Sequence, residues 1–307
     1  MQIIIGGFGR SGTTWLSDIV SKCLGGLILF EPFHPGVYDA SDKVIYAGNI
    51  DDNSLRSHLD EIRASHPTNP WILRNHLNSP IEKHSASFIK YVWSNSKILG
   101  YKTIRGNHCL YQLSQVNGDS KVVYIYRHPL AVLASINKRR RFWEEFGWEQ
   151  HVKFFFARTL KSPQFSAQVV DYLRDITDQL RTKNEIIVAM WAISFMISLR
   201  EVEKAGGHLV SYENLYKNPY ELIRGLMRYL RAEENGMHPS YFFTPSMTSL
   251  KTLHHLQKYK GSELNLDEIF WVKEMKATEA DQLKALCERI LQSSERAVGL
   301  ARQCNYL

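Results

Sequence analysis

Gly6-Gly7-Phe8-Gly9-Arg10-Ser11-Gly12-Thr13-Thr14-Trp15 joins an apolar run, Met1 to Ile5, to a segment whose apolar residues Leu16, Ile19, Val20 and Leu24 recur at helical spacing. A strand that turns through glycines into a helix is an anion cradle. Glycine tolerates the backbone angles of a tight turn. The amides at the helix start, with the positive end of its dipole, then point at whatever negative group sits there. The spacing Gly7-x4-Gly12 is that of a phosphate-binding loop, but the lysine that should follow is Thr13. A nucleotide kinase or ATPase needs that lysine on its terminal phosphates, and an acidic residue for magnesium at the end of a nearby strand. The best such strand, Lys121 to Tyr126, ends instead in Arg127-His128-Pro129. A cation stands where the metal ligand would be.

Outward from the loop, strands are expected at Gln2 to Ile5, Leu27 to Phe30, Lys97 to Tyr101, Lys121 to Tyr126 and His208 to Ser211, with helical patterns between them. Short apolar strands alternating with helices predict an α/β fold of three α/β/α layers. Its central sheet is mainly parallel, of about five strands, with ligands at the strand carboxyl ends. The glycine loop, Arg127 and Tyr212 all follow such ends. Ser65 to Pro70 and Met237 to Ser246 read as surface loops. With motifs near both termini of 307 residues, one domain spanning 1–307 is the expected organisation.

A net charge of +7 favours acidic partners. The basic residues are scattered and no nucleic-acid-binding motif accompanies them, so nucleic acid is not expected as a partner. Cys23, Cys109, Cys287 and Cys304 show neither metal spacing nor a disulfide rhythm, which fits a reducing cytoplasm and no metal site. No window reaches transmembrane length and no leader precedes the first strand, so a cytoplasmic location is expected.

Taken together, these residues resemble the sulfotransferases that use 3'-phosphoadenosine 5'-phosphosulfate (PAPS) as donor, in the P-loop nucleotide-hydrolase-like version of the fold. The run GRSGTTWL, Gly9 to Leu16, is similar to that family's 5'-phosphosulfate loop. YIYRHPLAVLAS, Tyr124 to Ser135, resembles its 3'-phosphate segment, in which an arginine at a strand end is followed eight residues later by a serine. LVSYENLYKNPYELIRGLMRYL, Leu209 to Leu230, is similar to its strand, Tyr-Glu-x-Leu turn and following helix, and the terminal Cys304-Asn305-Tyr306 to the close of many carbohydrate sulfotransferases. The resemblance implies that Gly9, Arg10, Ser11, Gly12, Thr13 and Thr14 hold the 5'-phosphosulfate, with Arg10 on the bridging oxygen. It assigns Arg127 and Ser135 to the 3'-phosphate, Trp15 and Tyr212 to the adenine, and requires no metal. Two helical turns separate the arginine from the serine, so both can share a face.

The acceptor's base distinguishes branches of the family. Members acting on phenols and steroids place a histidine just after a Lys-Thr pair, but Lys102-Thr103 is followed here by Ile104, and His108 comes four residues late. Leu29-Phe30-Glu31-Pro32-Phe33-His34 instead resembles the Tyr-Glu-Pro segment of the carbohydrate branch, close in style to the tyrosylprotein enzymes too. Glu31 is thereby implied as general base, with His34, His76 and His108 as alternatives. The plainer reading of Glu31 is a surface or supporting glutamate salt-bridged to an arginine. Lys102 could help hold the sulfuryl or the acceptor. Lys260-Gly261 is similar to a donor-covering loop in cytosolic members, which predicts a flap over Thr248 to Leu264.

The acceptor itself is expected to be an alcohol: the Glu31 likeness points to a carbohydrate or glycoconjugate, and a lipid-linked or small-molecule alcohol stays open. Lys138-Arg139-Arg140-Arg141 with Phe142, Trp143, Phe146 and Trp148 could stack sugars, touch anionic lipid as a peripheral membrane contact, or simply form an amphipathic helix. Two rival classes remain: a P-loop kinase-like phosphotransferase, and a non-catalytic relative that binds PAPS or its product 3'-phosphoadenosine 5'-phosphate (PAP).

Overall fold

The computed structural model describes residues 2–34, 46, 50–64, 73, 86–116, 118, 120–138, 148–232, 237, 238, 240–243 and 275–307. His76, the 139–147 stretch of the basic and aromatic segment, and the expected flap over 248–264 lie outside these residues.

Strand β1 (Ile3–Gly6) enters the glycine loop, α1 (Thr13–Leu24) leaves it, and β2 (Leu27–Phe30) follows. Helices α2 (Asp52–Ala64) and α3 (Ala86–Asn95) precede β3 (Ile98–Thr103), a 3-10 turn at Asn107–Cys109 and α4 (Leu110–Val116). β4 (Lys121–Tyr126) leads into α5 (Pro129–Asn137), and then come α6 (Trp148–Thr159), α7 (Ala167–Asp178) and the long α8 (Lys183–Lys204). β5 (His208–Ser211), α9 (Tyr212–Lys217), α10 (Pro219–Tyr229), α11 (Ser240–Phe243), α12 (Ala277–Leu291) and α13 (Glu295–Gln303) complete the chain.

The sheet has the order β2-β3-β1-β4-β5, and each neighbouring pair is parallel. Alternation along the strands builds its two faces. Ile3 and Ile5 of β1 pack with Leu16, Ile19 and Val20 of α1 and with Ile223 and Leu226 of α10. Ile4 points the other way, into a cluster with Leu110 and Leu113 of α4 and Val188, Ala192 and Phe195 of α8. α8 is buried along most of its length, which is why it lacks a polar stripe over Ile187–Leu199. A capping box, Thr182 with Glu185, accepts from the amides at its start through the two side-chain oxygens.

The chain passes β1 when it runs from β3 to β4, so the carboxyl ends of β1 and β4 flank a topological switch point, where such sheets bind ligands. The glycine loop and Arg127 emerge there. Boundaries differ from the sequence reading: β1 runs Ile3–Gly6 rather than Gln2 to Ile5, and β3 starts at Ile98 rather than Lys97. β3 continues to Thr103 rather than stopping at Tyr101, because Lys102 pairs with Ile5 and Phe30 in the sheet while its ammonium finds Glu31. Within the expected loop 237–246, Ser240–Phe243 forms a helical turn that starts where the Ser240 amide donates to His238 Nδ1 at 3.3 Å. Among the described residues no helix is long and apolar enough to cross a membrane.

Candidate active site

The glycine loop is shaped by contacts that exclude side chains. Gly12 has φ 93°, and a Cβ there would lie 2.4 Å from Tyr212 Cδ2. A Cβ on Gly7 would meet Thr13 Cγ2 at 2.5 Å and the Ile125 carbonyl at 2.7 Å. The loop's entry is clamped by Asn107, a residue without sequence signal: its Oδ1 accepts from the Gly7 amide at 2.9 Å, and its Nδ2 donates to the Gly7 carbonyl at 2.9 Å and the Ile104 carbonyl at 3.0 Å. No side chain caps the start of α1 and no acidic residue occupies its first turn. Its leading amides therefore keep their capacity for an anion. Ser11 is fully buried in the loop, and its Oγ has no hydrogen-bond partner among the described residues. A buried hydroxyl in that state fits a bound oxyanion.

Arg10 holds a left-handed backbone, φ 71°, which side chains other than glycine rarely adopt. Its Nε donates to Ser135 Oγ at 3.0 Å, across 125 positions of sequence. Arg127, buried at the end of β4, donates from Nη1 to the Arg10 carbonyl at 3.2 Å. Its guanidinium lies 4.2 Å from the centroid of the Tyr212 ring, and Trp15 meets the same ring edge-on at 5.6 Å. The loop, the β4–α5 segment and the β5–α9 turn thus form one cationic, aromatic-backed surface. It brings together Arg10, Gly12, Trp15, Arg127, Ser135 and Tyr212.

A second group lies at the ends of β2 and β3. Glu31 is buried and also left-handed, φ 45°. Its Oε1 accepts from Lys102 Nζ at 2.8 Å, and its Oε2 accepts from the Ile104 amide at 3.2 Å and lies 3.5 Å from Arg105 Nη1. Burial pulls the Lys102 ammonium below its ordinary range while Glu31 holds it up. The His34 amide donates to the Glu31 carbonyl at 3.0 Å, which keeps His34 at this edge. His108 is elsewhere. It is fully buried beneath α8, 3.3 Å from Ser194 Oγ and walled by the rings of Tyr46 and Phe155, and burial lowers its pKa to about 4. The 3-10 turn that carries it faces the core, so its imidazole is part of the packing.

Asp18 was not singled out from the sequence. It lies on α1 one turn past Thr14, and its Oδ1 is buried without a hydrogen-bond partner among the described residues. Burial raises its pKa to about 7, opposed by Lys22 and Lys102. The available signal was an acidic residue four positions beyond Thr14. Among the described residues no three His, Cys, Asp or Glu side chains are grouped to share a metal ion.

A parallel sheet with a glycine loop at its switch point, beside a buried arginine, defines the class as an α/β protein. The particular kind is given by sequence: the profile of the Sulfotransferase family matches residues 2–235, and the chain belongs to that family. Solved structures similar to it include the sulfotransferase domain from the curacin biosynthetic pathway, at 16% identity over 95% of this chain and 96% of that one, with a TM-score of 0.43. The sulfotransferase domain from the Synechococcus PCC 7002 olefin synthase is 15% identical over 89% and 93%, with a TM-score of 0.39. Sulfotransferase STF9 from Mycobacterium avium is 12% identical over 96% and 76%, with a TM-score of 0.41. No curated protein matches the chain.

Proposed function

We propose that residues 1–307 act as one cytoplasmic sulfotransferase domain that takes its sulfuryl group from PAPS and delivers it to an alcohol of a carbohydrate or glycoconjugate. The observation that carries this reading is the junction of Arg10, Ser135 and Arg127, joined by contacts of 3.0 and 3.2 Å beside the α1 amides. One ligand with phosphate at both ends suits that arrangement. PAPS, when bound, supplies a sulfuryl group that passes to the acceptor oxygen and leaves PAP.

The chain's own residues would divide the work as follows. Gly9 to Thr14 cradle the 5' end with backbone amides and hydroxyls, and Ser11 Oγ gains the partner it lacks. Arg127 and Ser135 hold the 3'-phosphate, and stacking on Tyr212 fixes the plane of the Arg127 fork. Trp15 and Tyr212 flank the adenine. Arg10 steadies the charge that develops on the departing phosphate oxygen. Glu31 accepts the acceptor hydroxyl's proton, and Lys102 and the Ile104 amide hold its carboxylate in one orientation. Both catalytic candidates sit on left-handed backbone, a strain that accumulates at functional sites.

The test is to titrate PAP into the full chain and follow the melting temperature. PAP is expected to raise it by binding the folded state, and Arg127→Ala to remove most of the rise. An equal rise in the variant refutes the 3'-phosphate assignment. Labelled PAPS with an acceptor library then tests transfer, and full activity in Glu31→Gln would exclude that residue as base.

A further inference from the structure

The chain's last turn has no part in the reading above, yet it ends at the same place. α13 closes in a Schellman motif: Asn305 is left-handed, φ 56°, and the Tyr306 amide donates to the Ala301 carbonyl at 2.8 Å. That reversal drives Tyr306 into the core, where it is fully buried. Its ring centroid lies 5.1 Å from His128, 6.0 Å from Tyr126 and 6.1 Å from Trp191. Its hydroxyl donates to Glu213 Oε2 at 2.5 Å, and Glu213 Oε1 accepts from the His128 amide at 2.9 Å.

This places the phenol two bonds of contact away from Arg127. Glu213 follows Tyr212, whose ring backs the Arg127 guanidinium, and its carboxylate grips the peptide that follows Arg127. We propose that Tyr306 is a positioning residue for the donor's 3'-phosphate: through Glu213 it fixes the Arg127–His128 turn. It also engages a carboxylate whose charge would otherwise oppose the phosphate. The inference rests on the donor reading of Arg127. Burial and the neighbouring Glu213 push the Tyr306 phenol well above its usual range, so it stays protonated and remains a donor. His128 is held neutral by burial, aided by Lys284 and Arg127, and its Nδ1 accepts from the Leu130 amide at 3.1 Å, so the same turn also starts α5, which carries Ser135.

The contact can be tested with two nucleotides that differ only in the 3'-phosphate. Calorimetric titrations with PAP and with adenosine 5'-phosphate would be run on the wild type and on Tyr306→Phe, which removes one oxygen and keeps the ring. PAP affinity is expected to fall about tenfold, the scale of a lost hydrogen bond to a charged group, while adenosine 5'-phosphate affinity stays within about twofold. Unchanged PAP affinity overturns the inference, and so does an equal loss for both nucleotides, which would mark a merely structural role. If the wild type itself shows no preference for PAP, the donor reading fails first and takes this inference with it. Should Tyr306→Phe not fold, Tyr306→Met, whose flexible apolar side chain fills much of the same space without a donor, carries the same comparison with the same outcomes.

Discussion

Replacing Asp18 with Asn should stabilise the protein in a strongly pH-dependent way. In the native state this carboxyl has its pKa raised from 3.8 to about 7 by burial, against the pull of Lys22 on its own helix and Lys102 at the end of β3. Lys102 is itself engaged with Glu31 at 2.8 Å, so it does little to satisfy Asp18. Between about pH 4 and pH 7 the native state therefore holds a proton that the unfolded chain has released, and stability falls as pH rises through that window. At 1.36 kcal/mol per pK unit, the penalty is about 2 kcal/mol at pH 5 and about 4 kcal/mol at pH 8. Asparagine carries no such penalty, although its amide meets the same scarcity of partners at any pH. Urea unfolding of both proteins at pH 5 and pH 8 should show the difference, variant minus wild type, growing by about 2–3 kcal/mol across the interval. A difference that does not change with pH refutes the reasoning.

Asn107→Ala removes the clamp on Gly7 and leaves a buried peptide unpaired, so it should cost about 2–4 kcal/mol in urea unfolding and weaken PAP binding together; retention of both would show the clamp to be incidental. The two imidazoles that are buried among the described residues act opposite to Asp18. His128, lowered to about 3, and His108, lowered to about 4, contribute stability that is present above pH 6.5 and lost as pH falls below it, about 2 kcal/mol each by pH 5. His128→Asn keeps a side-chain acceptor for the Leu130 amide and should blunt that acid loss, as denaturant melts at pH 7 and pH 5 would show; an undiminished loss would mean that His128 does not titrate as described.

Much of the fold could be read in advance because its signals are local. Leu27–Phe30, Lys121–Tyr126 and His208–Ser211 are strands at the expected boundaries, since short apolar runs bounded by turns have few alternatives. Lys102 misled the reading of β3 because a lysine argues against a buried strand end, and its partner Glu31 is 71 positions away in sequence. Asn107, Asp18 and Tyr306 escaped assignment for the same reason: an asparagine, an aspartate and a terminal tyrosine acquire meaning only from what lies against them. His108 stood among the possible bases on spacing alone, and the turn that carries it faces inward.

What sequence alone determined was the α/β class and the strand–glycine loop–helix at its start, because glycine spacing and hydrophobic period act over neighbouring residues. That Arg10, Ser135 and Arg127 share one surface, that Glu31 is held between Lys102 and Arg105, and that Tyr306 reaches Glu213 were decided only in the folded chain. The strand order β2-β3-β1-β4-β5 brings distant segments to one edge of the sheet, and desolvation there sets the ionisation of each group by neighbours that the linear order does not name.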